Sequence, residues 1–496
     1  MYKIRQIKYT EKSVSIQVYR IENRKRVIVR HIGTARTEEE KEALLIIAND
    51  FIEKVSRQLQ LFPRQPSNNL LYLDQVELKG VYYNFFYELI ARLLITIGYD
   101  KLKNNLLLDL VTIRIMEPAS KLRSIALLEE YFGIRHRRQA YYEFAPQWLA
   151  LKSKVESITV SFAKRHYDFN FNLVFYDVTT LYFEAFTKDE LRKNGFSKDN
   201  KSQQPQILIA LMVNKDGFPI SYEIFAGNTF EGHTIIPVIK AFIEKYKVKN
   251  FTVVADAAMI NADNIAALKK HNINYIVGAR LGNLSADTIE LIDKQQIRQD
   301  GKTIRLETKL GDLICSYSGV RYRKDLHEMN MQIQKAQYVI EHPSKNKKLK
   351  FTTAKGQKLG LNQKLIEKTK KLLGVKGYYT NLKEDEVSAQ TIVERYHELY
   401  RIEQAFRISK SDLKTRPIFH FKEEPIQLHV LICFIALVVS KHIELQTSLS
   451  IRNFVHLCKK VTDARLKNKI TGKEHRIRSA LTNDTKIILS KLNLLT

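Results

Sequence analysis

Three acids far apart along the chain, Asp177, Asp256 and Glu403, are the residues whose types and settings best suit chemistry. Asp177 stands inside Asn172-Leu173-Val174-Phe175-Tyr176-Asp177-Val178-Thr179-Thr180-Leu181-Tyr182-Phe183. The aromatic and β-branched residues of that run read as a strand covered on both faces. An ionised carboxylate is costly there unless it is paired or holds a metal. Phe251-Thr252-Val253-Val254-Ala255-Asp256 repeats the device, with no Lys or Arg in the run to neutralise the acid. Two strands that each bring an Asp to one region meet the first requirement of a divalent-metal site. The alternative for either residue is a cap on a turn or helix at a strand end.

The third acid is expected on a helix that Ser388 caps and that runs through Glu394 to Lys410. At 3.6 residues per turn, Tyr396, Tyr400, Glu403, Arg407 and Lys410 fall on one face. One carboxylate would then stand among phenols and cations, all pointing the same way. Ordinary helix-surface ion pairs, such as Glu403 with Arg407, are the alternative.

Tyr396-x6-Glu403-x6-Lys410 resembles the Tyr–Arg–Glu–Lys signature of bacterial insertion-sequence DDE transposases. Phe-Tyr-Asp177-Val-Thr-Thr and Val-Ala-Asp256-Ala-Ala-Met are similar to that family's first and second Asp motifs. The long separation between Asp256 and Glu403 matches the branch with a β-rich insertion there. Lys410-Ser411-x-Leu413-x-x-Arg416-Pro417-Ile418-Phe419-His420 also resembles this group, and the likeness covers roughly residues 1 to 445. The signature's Arg falls at Leu399, so Arg401 or Arg407 takes its role.

The resemblance implies that Asp177, Asp256 and Glu403 bind two Mg²⁺ ions, or Mn²⁺ in their place, roughly 3.5–4 Å apart. It implies in-line displacement at a phosphodiester with no covalent enzyme intermediate. Tyr396, Arg401, Arg407, Lys410 and Lys414 are the expected DNA contacts near the scissile bond, with Arg135, Arg137 and Arg138 contacting DNA elsewhere. The implied substrate is double-stranded DNA, as the element's terminal inverted repeats and the target, held by a homodimer on paired ends. No small-molecule substrate is implied. An RNase H-like nuclease or resolvase that cuts without joining is one competing reading. A catalytically inactive DNA-binding regulator descended from a transposase is the other.

Composition agrees with a polyanionic partner. The 496 residues carry 81 Lys and Arg against 53 Asp and Glu, a formal net charge of +28. The longest apolar run, Val430 to Val439, is too short to span a bilayer, so no membrane role is expected. The N-terminal residues carry no apolar signal segment, and Cys315, Cys433 and Cys458 form no close pair. A cytoplasmic, nucleoid-associated protein is expected.

The elements that must position the acids define an α/β protein. Its RNase H-like mixed-sheet catalytic core is expected over 169–282 and 377–445, interrupted by a β-containing insertion subdomain over 283–376. Residues 1–66 read as a β-hairpin, turning near Asn23-Arg24, followed by a helix that Thr37-Glu38-Glu39-Glu40 opens and that ends near Leu61. Pro63, Pro66 and Ser67-Asn68-Asn69 read as a linker. Residues 67–168 read as a helical DNA-binding domain, with a basic-faced structural bundle as the alternative, and 446–496 as a basic helical C-terminal region. His420 and His429 are expected to pack near the last apolar helix.

Overall fold

The computed structural model describes residues 2–10, 13–22, 24–56, 76–184, 186–196, 203–259, 261–342, 349–355, 358–469 and 472–494. Asn23 and the expected linker, with the far end of the helix before it, lie outside the described residues. The chain forms two units. One comprises Met1–Glu88, Glu129–Ile134 and His456–Ile487, the other Leu89–Leu128, Arg135–Val455 and Ile488–Thr496.

At the N-terminus β1 (Tyr2–Thr10), β2 (Ser13–Glu22) and β3 (Lys25–Ala35) form an antiparallel sheet in sequence order. The alternation of β2 and β3 delivers Ile16, Val18 and Ala35 to a small core with Leu44 and Ala48 of α1 (Glu38–Ser56). Thr37 caps α1 as its sequence predicts: its Oγ1 accepts from the Glu40 N–H at 3.2 Å, and the Glu40 carboxylate accepts from the Arg36 N–H at 2.6 Å. β4 (Val76–Tyr82) follows.

Five helices come next: α2 (Asn84–Ile97), α3 (Asn105–Met116), α4 (Lys121–Phe132), α5 (Ala140–Leu149) and α6 (Lys152–His166). α3 is buried almost all round and takes Asp109 and Arg114 inside with it. Asp109 meets His136 there, whose Nε2 lies 2.7 Å from its Oδ2.

β5 (Val174–Tyr182), β6 (Gln206–Val213) and β7 (Pro219–Ala226) pair antiparallel in sequence order. The tight turn between β6 and β7 rests on Asn214, whose side-chain oxygen accepts from the Asp216 and Phe218 N–H groups, and on Gly217 at φ 76°. α7 (Ile235–Tyr246) leads to β8 (Thr252–Ala255), parallel to β5, and α8 (Ala262–Lys270) leads to β9 (Asn274–Ala279), parallel to β8. After α9 (Ala286–Lys294) come β10 (Thr303–Leu306) and β11 (Asp312–Tyr317). α10 (Gly319–Glu341), a hairpin of β12 (Thr352–Lys355) and β13 (Lys358–Leu361), and α11 (Gln363–Lys371) then precede β14 (Val375–Thr380).

The result is one mixed sheet in the order β10-β11-β14-β9-β8-β5-β6-β7. β10 and β11, read from the sequence as part of an inserted subdomain, instead extend this sheet. Leu313, Ile314 and Cys315 are fully buried, and a strand of that kind needs both faces covered. Only the α10, β12–β13 and α11 segment keeps a core of its own, with Met329, Ala336, Phe351, Ile366 and Leu373.

α12 (Ala389–His397) and α13 (Tyr400–Arg407) pack on the sheet, and a π-helical turn over Ile408–Asp412 follows. α14 (Glu423–Thr447) is long and apolar enough to cross a membrane, but 94% of its most apolar stretch is buried inside the protein. It packs on α3, α5 and β7 as a core helix.

The C-terminal region departs from the all-helical expectation. Between α15 (Ile451–Lys459) and α16 (Asn483–Lys491), β15 (Asp463–Asn468) and β16 (Glu474–Arg478) form a hairpin, and β15 also pairs with β4. Its anchor is Asp463, fully buried, which accepts from Arg478 Nε at 2.7 Å and Nη2 at 2.9 Å.

Candidate active site

β8 is a strand of four residues beside the nine-residue β5, and this determines where the acids meet. The register pairs Tyr176 with Ala255 and goes no further, so the next residues of the two parallel strands, Asp177 and Asp256, stand side by side where β8 stops. Beyond that point, among the described residues, nothing pairs with β5 on this side until Phe183, just past its end, meets Ile418. The sheet therefore opens beside Asp177 at the carboxyl end of a parallel strand, where α/β sheets form crevices. Strand alternation sends the two carboxylates to the face opposite Tyr176, whose phenol donates to Thr234 at 2.6 Å. Asp177 is half-buried and Asp256 exposed. Each is fixed locally: Asp177 Oδ1 accepts from the Val178 N–H at 2.7 Å and Asp256 Oδ1 from the Ala257 N–H at 2.6 Å.

The helix expected over Glu394 to Lys410 is broken in two, because residues 398 and 399 form a turn between α12 and α13. The five residues expected on one face are divided accordingly. Tyr396 ends its helix facing inward, 6% exposed, and its O–H approaches Asp256 Oδ1 at 3.4 Å. Burial first, then the charge of Asp256, pushes its phenol pKa well up, so it remains a proton donor. Tyr400, Glu403 and Arg407 share the exposed face of α13, opposite buried Ile402, Ala405 and Phe406. Lys410 lies half-buried on the π-helical turn.

A residue not singled out from the sequence connects the groups. Lys376 of β14 is held below the usual lysine range by burial, then by Arg321, while Asp256 and Glu403 both oppose that shift. Its ammonium therefore lies in the field of both acids. It also sits 4.7 Å from the Tyr396 ring centroid. Gly278 of β9 leaves room for this arrangement, since a Cβ there would lie 2.5 Å from the Tyr396 hydroxyl.

The other expected contacts are dispersed. Arg401 packs its backbone on Gly217 and faces Glu398 at 3.6 Å, so it turns away from the face that carries Glu403 and Arg407. Lys414 is exposed beyond the π-helical turn. Arg135, Arg137 and Arg138 are exposed between α4 and α5, and Arg137 pairs with Glu143 at 2.9 Å.

Hard oxygen donors suit Mg²⁺, which is commonly held by one or two carboxylates with waters and substrate phosphates completing the shell. Asp177 and Asp256 match that requirement in donor type and position. Among the described residues no group of three or more His, Cys, Asp or Glu stands ready to hold an ion, so Glu403 does not complete a preformed three-ligand set.

The family model of the transposase DDE domain matches residues 171–439, which include all three acids. That is more than half of the chain, and the chain belongs to this family. Among solved structures, the chain is similar to a piggyBac transposase in a cryo-EM synaptic complex with hairpin DNA. The identity is 10% and the TM-score 0.35, over 62% of this chain and 58% of the other, less than two thirds of that transposase. No curated protein matches the chain.

Proposed function

We propose that the protein is the transposase of a bacterial insertion sequence, of the Tyr–Arg–Glu–Lys branch, which cuts DNA at terminal inverted repeats and joins the freed 3′ ends to a target. The observation that carries the proposal is the side-by-side placement of Asp177 and Asp256 at the opening of the sheet, inside the segment matched by the family. The order β7-β6-β5-β8-β9, with β5, β8 and β9 parallel, supports an RNase H-like core over 169–282 and 377–445. Residues 283–376 are the insertion between the second Asp and the Glu, partly absorbed into the sheet. Residues 67–168, with Arg135, Arg137 and Arg138, bind DNA, and a homodimer holds two ends.

Asp177, Asp256 and Glu403 are the residues that would hold two Mg²⁺ or Mn²⁺ ions. Such ions supply activation of the attacking oxygen and charge stabilisation of the departing one. The chain's own residues do the rest. Tyr396 donates towards Asp256 and fixes its carboxylate, while Lys376 offsets the mutual repulsion of Asp256 and Glu403. Arg407, on the exposed face with Glu403, is the better placed of the two candidate signature arginines to grip a phosphate, and Lys410 adds a point charge.

Joining separates this reading from a nuclease or a silent regulator. Given precleaved ends with free 3′-hydroxyls, target duplex and Mg²⁺, the protein is expected to form covalent joint products. Nicking without joining favours the resolvase reading, and binding without either favours the regulator.

A further inference from the structure

A cavity of about 350 Å³ lies at the start of α4, and its lining is cationic. Arg114, Lys121, Lys414, Arg416, His420 and His429 line it, and among the described residues no carboxylate does. Two of these cations are almost wholly buried, Arg114 at 3% exposure and Lys121 at 4%. Arg114 Nη2 donates to the Ala119 carbonyl at 2.8 Å, but its buried Nε has no hydrogen-bond partner. His429 Nε2 lies 2.9 Å from the Thr415 carbonyl, which can only accept, so the ring proton sits there. His429 Nδ1 is then the acceptor for Lys121 Nζ at 3.3 Å, and that ammonium has further N–H groups to give.

Charge makes the cavity unusual. Burial, then Arg114, pushes the Lys121 ammonium well below the ordinary lysine range. Burial, then Lys121 and Arg114, pushes His429 down too, and the same causes bring His420 to about 4. Lysine and histidine can relieve such crowding by releasing a proton, but arginine cannot. Arg114 thus remains a buried charge with an N–H to spare, and a buried charge is costly until an opposite charge meets it.

We propose that this cavity is a phosphate-binding site, distinct from the three acids, with Arg114 and Lys121 as its buried donors. A phosphate has the size and the several acceptor oxygens to engage both at once. Arg416 and Lys414 extend the positive lining, and the exposed rings of Tyr142 and Phe419 offer surfaces on which a sugar or base attached to that phosphate can rest. The phosphate is carried either in a DNA strand or free in solution. The site's position bears on the first source, because the Arg416 guanidinium lies 5.5 Å from the Tyr182 ring centroid, on the strand that also carries Asp177. Five strand residues span roughly 17 Å. That is about five steps along one DNA strand, at 3.4 Å each.

Thermal unfolding of the full chain tests the site without reference to cleavage. At constant ionic strength, inorganic phosphate in place of chloride is expected to raise the wild-type midpoint saturably. Lys121→Met is expected to raise the midpoint of the phosphate-free protein, because it replaces a buried amine that no opposite charge compensates by an apolar side chain of similar length, and to weaken the phosphate response by about tenfold or more. A purely structural Lys121 would give the opposite: a lower midpoint and an unchanged phosphate response. ³¹P spectra of the wild-type protein with phosphate then distinguish the sources, since displacement by an oligonucleotide duplex identifies a DNA phosphate and its lack identifies free phosphate. No saturable effect of phosphate on the wild-type protein overturns the proposal, whatever the variant does.

Discussion

Asp177→Asn and Asp256→Asn are each expected to reduce DNA strand cleavage by roughly a thousand-fold or more, because metal-assisted charge stabilisation is worth several kcal/mol and each 1.36 kcal/mol is tenfold. Duplex binding should stay close to wild type. The structure explains why the loss is not a folding defect. Asn keeps the side-chain oxygen that accepts from the Val178 N–H in one case and from the Ala257 N–H and Tyr396 O–H in the other. What disappears is the negative charge of one member of the pair. Gel assays of nicking on labelled end-containing duplex, with circular dichroism as the folding control, check this. Nicking near the wild-type rate by either variant would remove that residue from the site.

The second large effect is on affinity. With a net charge of +28, the protein is expected to bind DNA mainly by displacing counterions from phosphates. If it makes about six to ten phosphate contacts, affinity falls by about 10³–10⁵ between 50 and 200 mM salt. Fluorescence anisotropy across that range measures the slope. A flat response would mean that the charge serves something other than DNA.

Much of the sheet was legible because its strands are buried and say so in their composition. Val174–Tyr182, Gln206–Val213 and Asn274–Ala279 are apolar, β-branched or aromatic runs, and their turns carry Asn and Gly where the backbone needs them. The tail hairpin was not legible. Asp463-Ala-Arg-Leu-Lys-Asn reads as a polar segment, and it is a strand because β4, far away in sequence, pairs with it and Arg478 neutralises Asp463. Strand pairing is a long-range outcome, and for the same reason the sequence could not say which sheet β10 and β11 would join.

The meeting of Asp177 and Asp256 at the ends of neighbouring strands was legible, but the course of the helix that carries Glu403 was not. No Gly or Pro marks the break between α12 and α13, so periodicity alone runs straight through it. Packing decides otherwise: Leu399 is buried at the turn, and Tyr396 faces Asp256 while Glu403 stays exposed. Lys376 carried a signal that could have been used. A lysine inside Val375-Lys376-Gly377-Tyr378-Tyr379 is as anomalous as an aspartate inside β5, and it lies beside the same acids.

That Glu403 joins the aspartate pair around metal once DNA is bound is the central claim, and Mn²⁺ titration of the DNA-bound protein, followed by electron paramagnetic resonance, tests it most directly. Wild-type protein is expected to bind Mn²⁺ on end-containing duplex, and Glu403→Gln to weaken that binding as Asp177→Asn does. Mn²⁺ binding by Glu403→Gln indistinguishable from wild type would contradict the account, leaving Glu403 as a surface residue of α13.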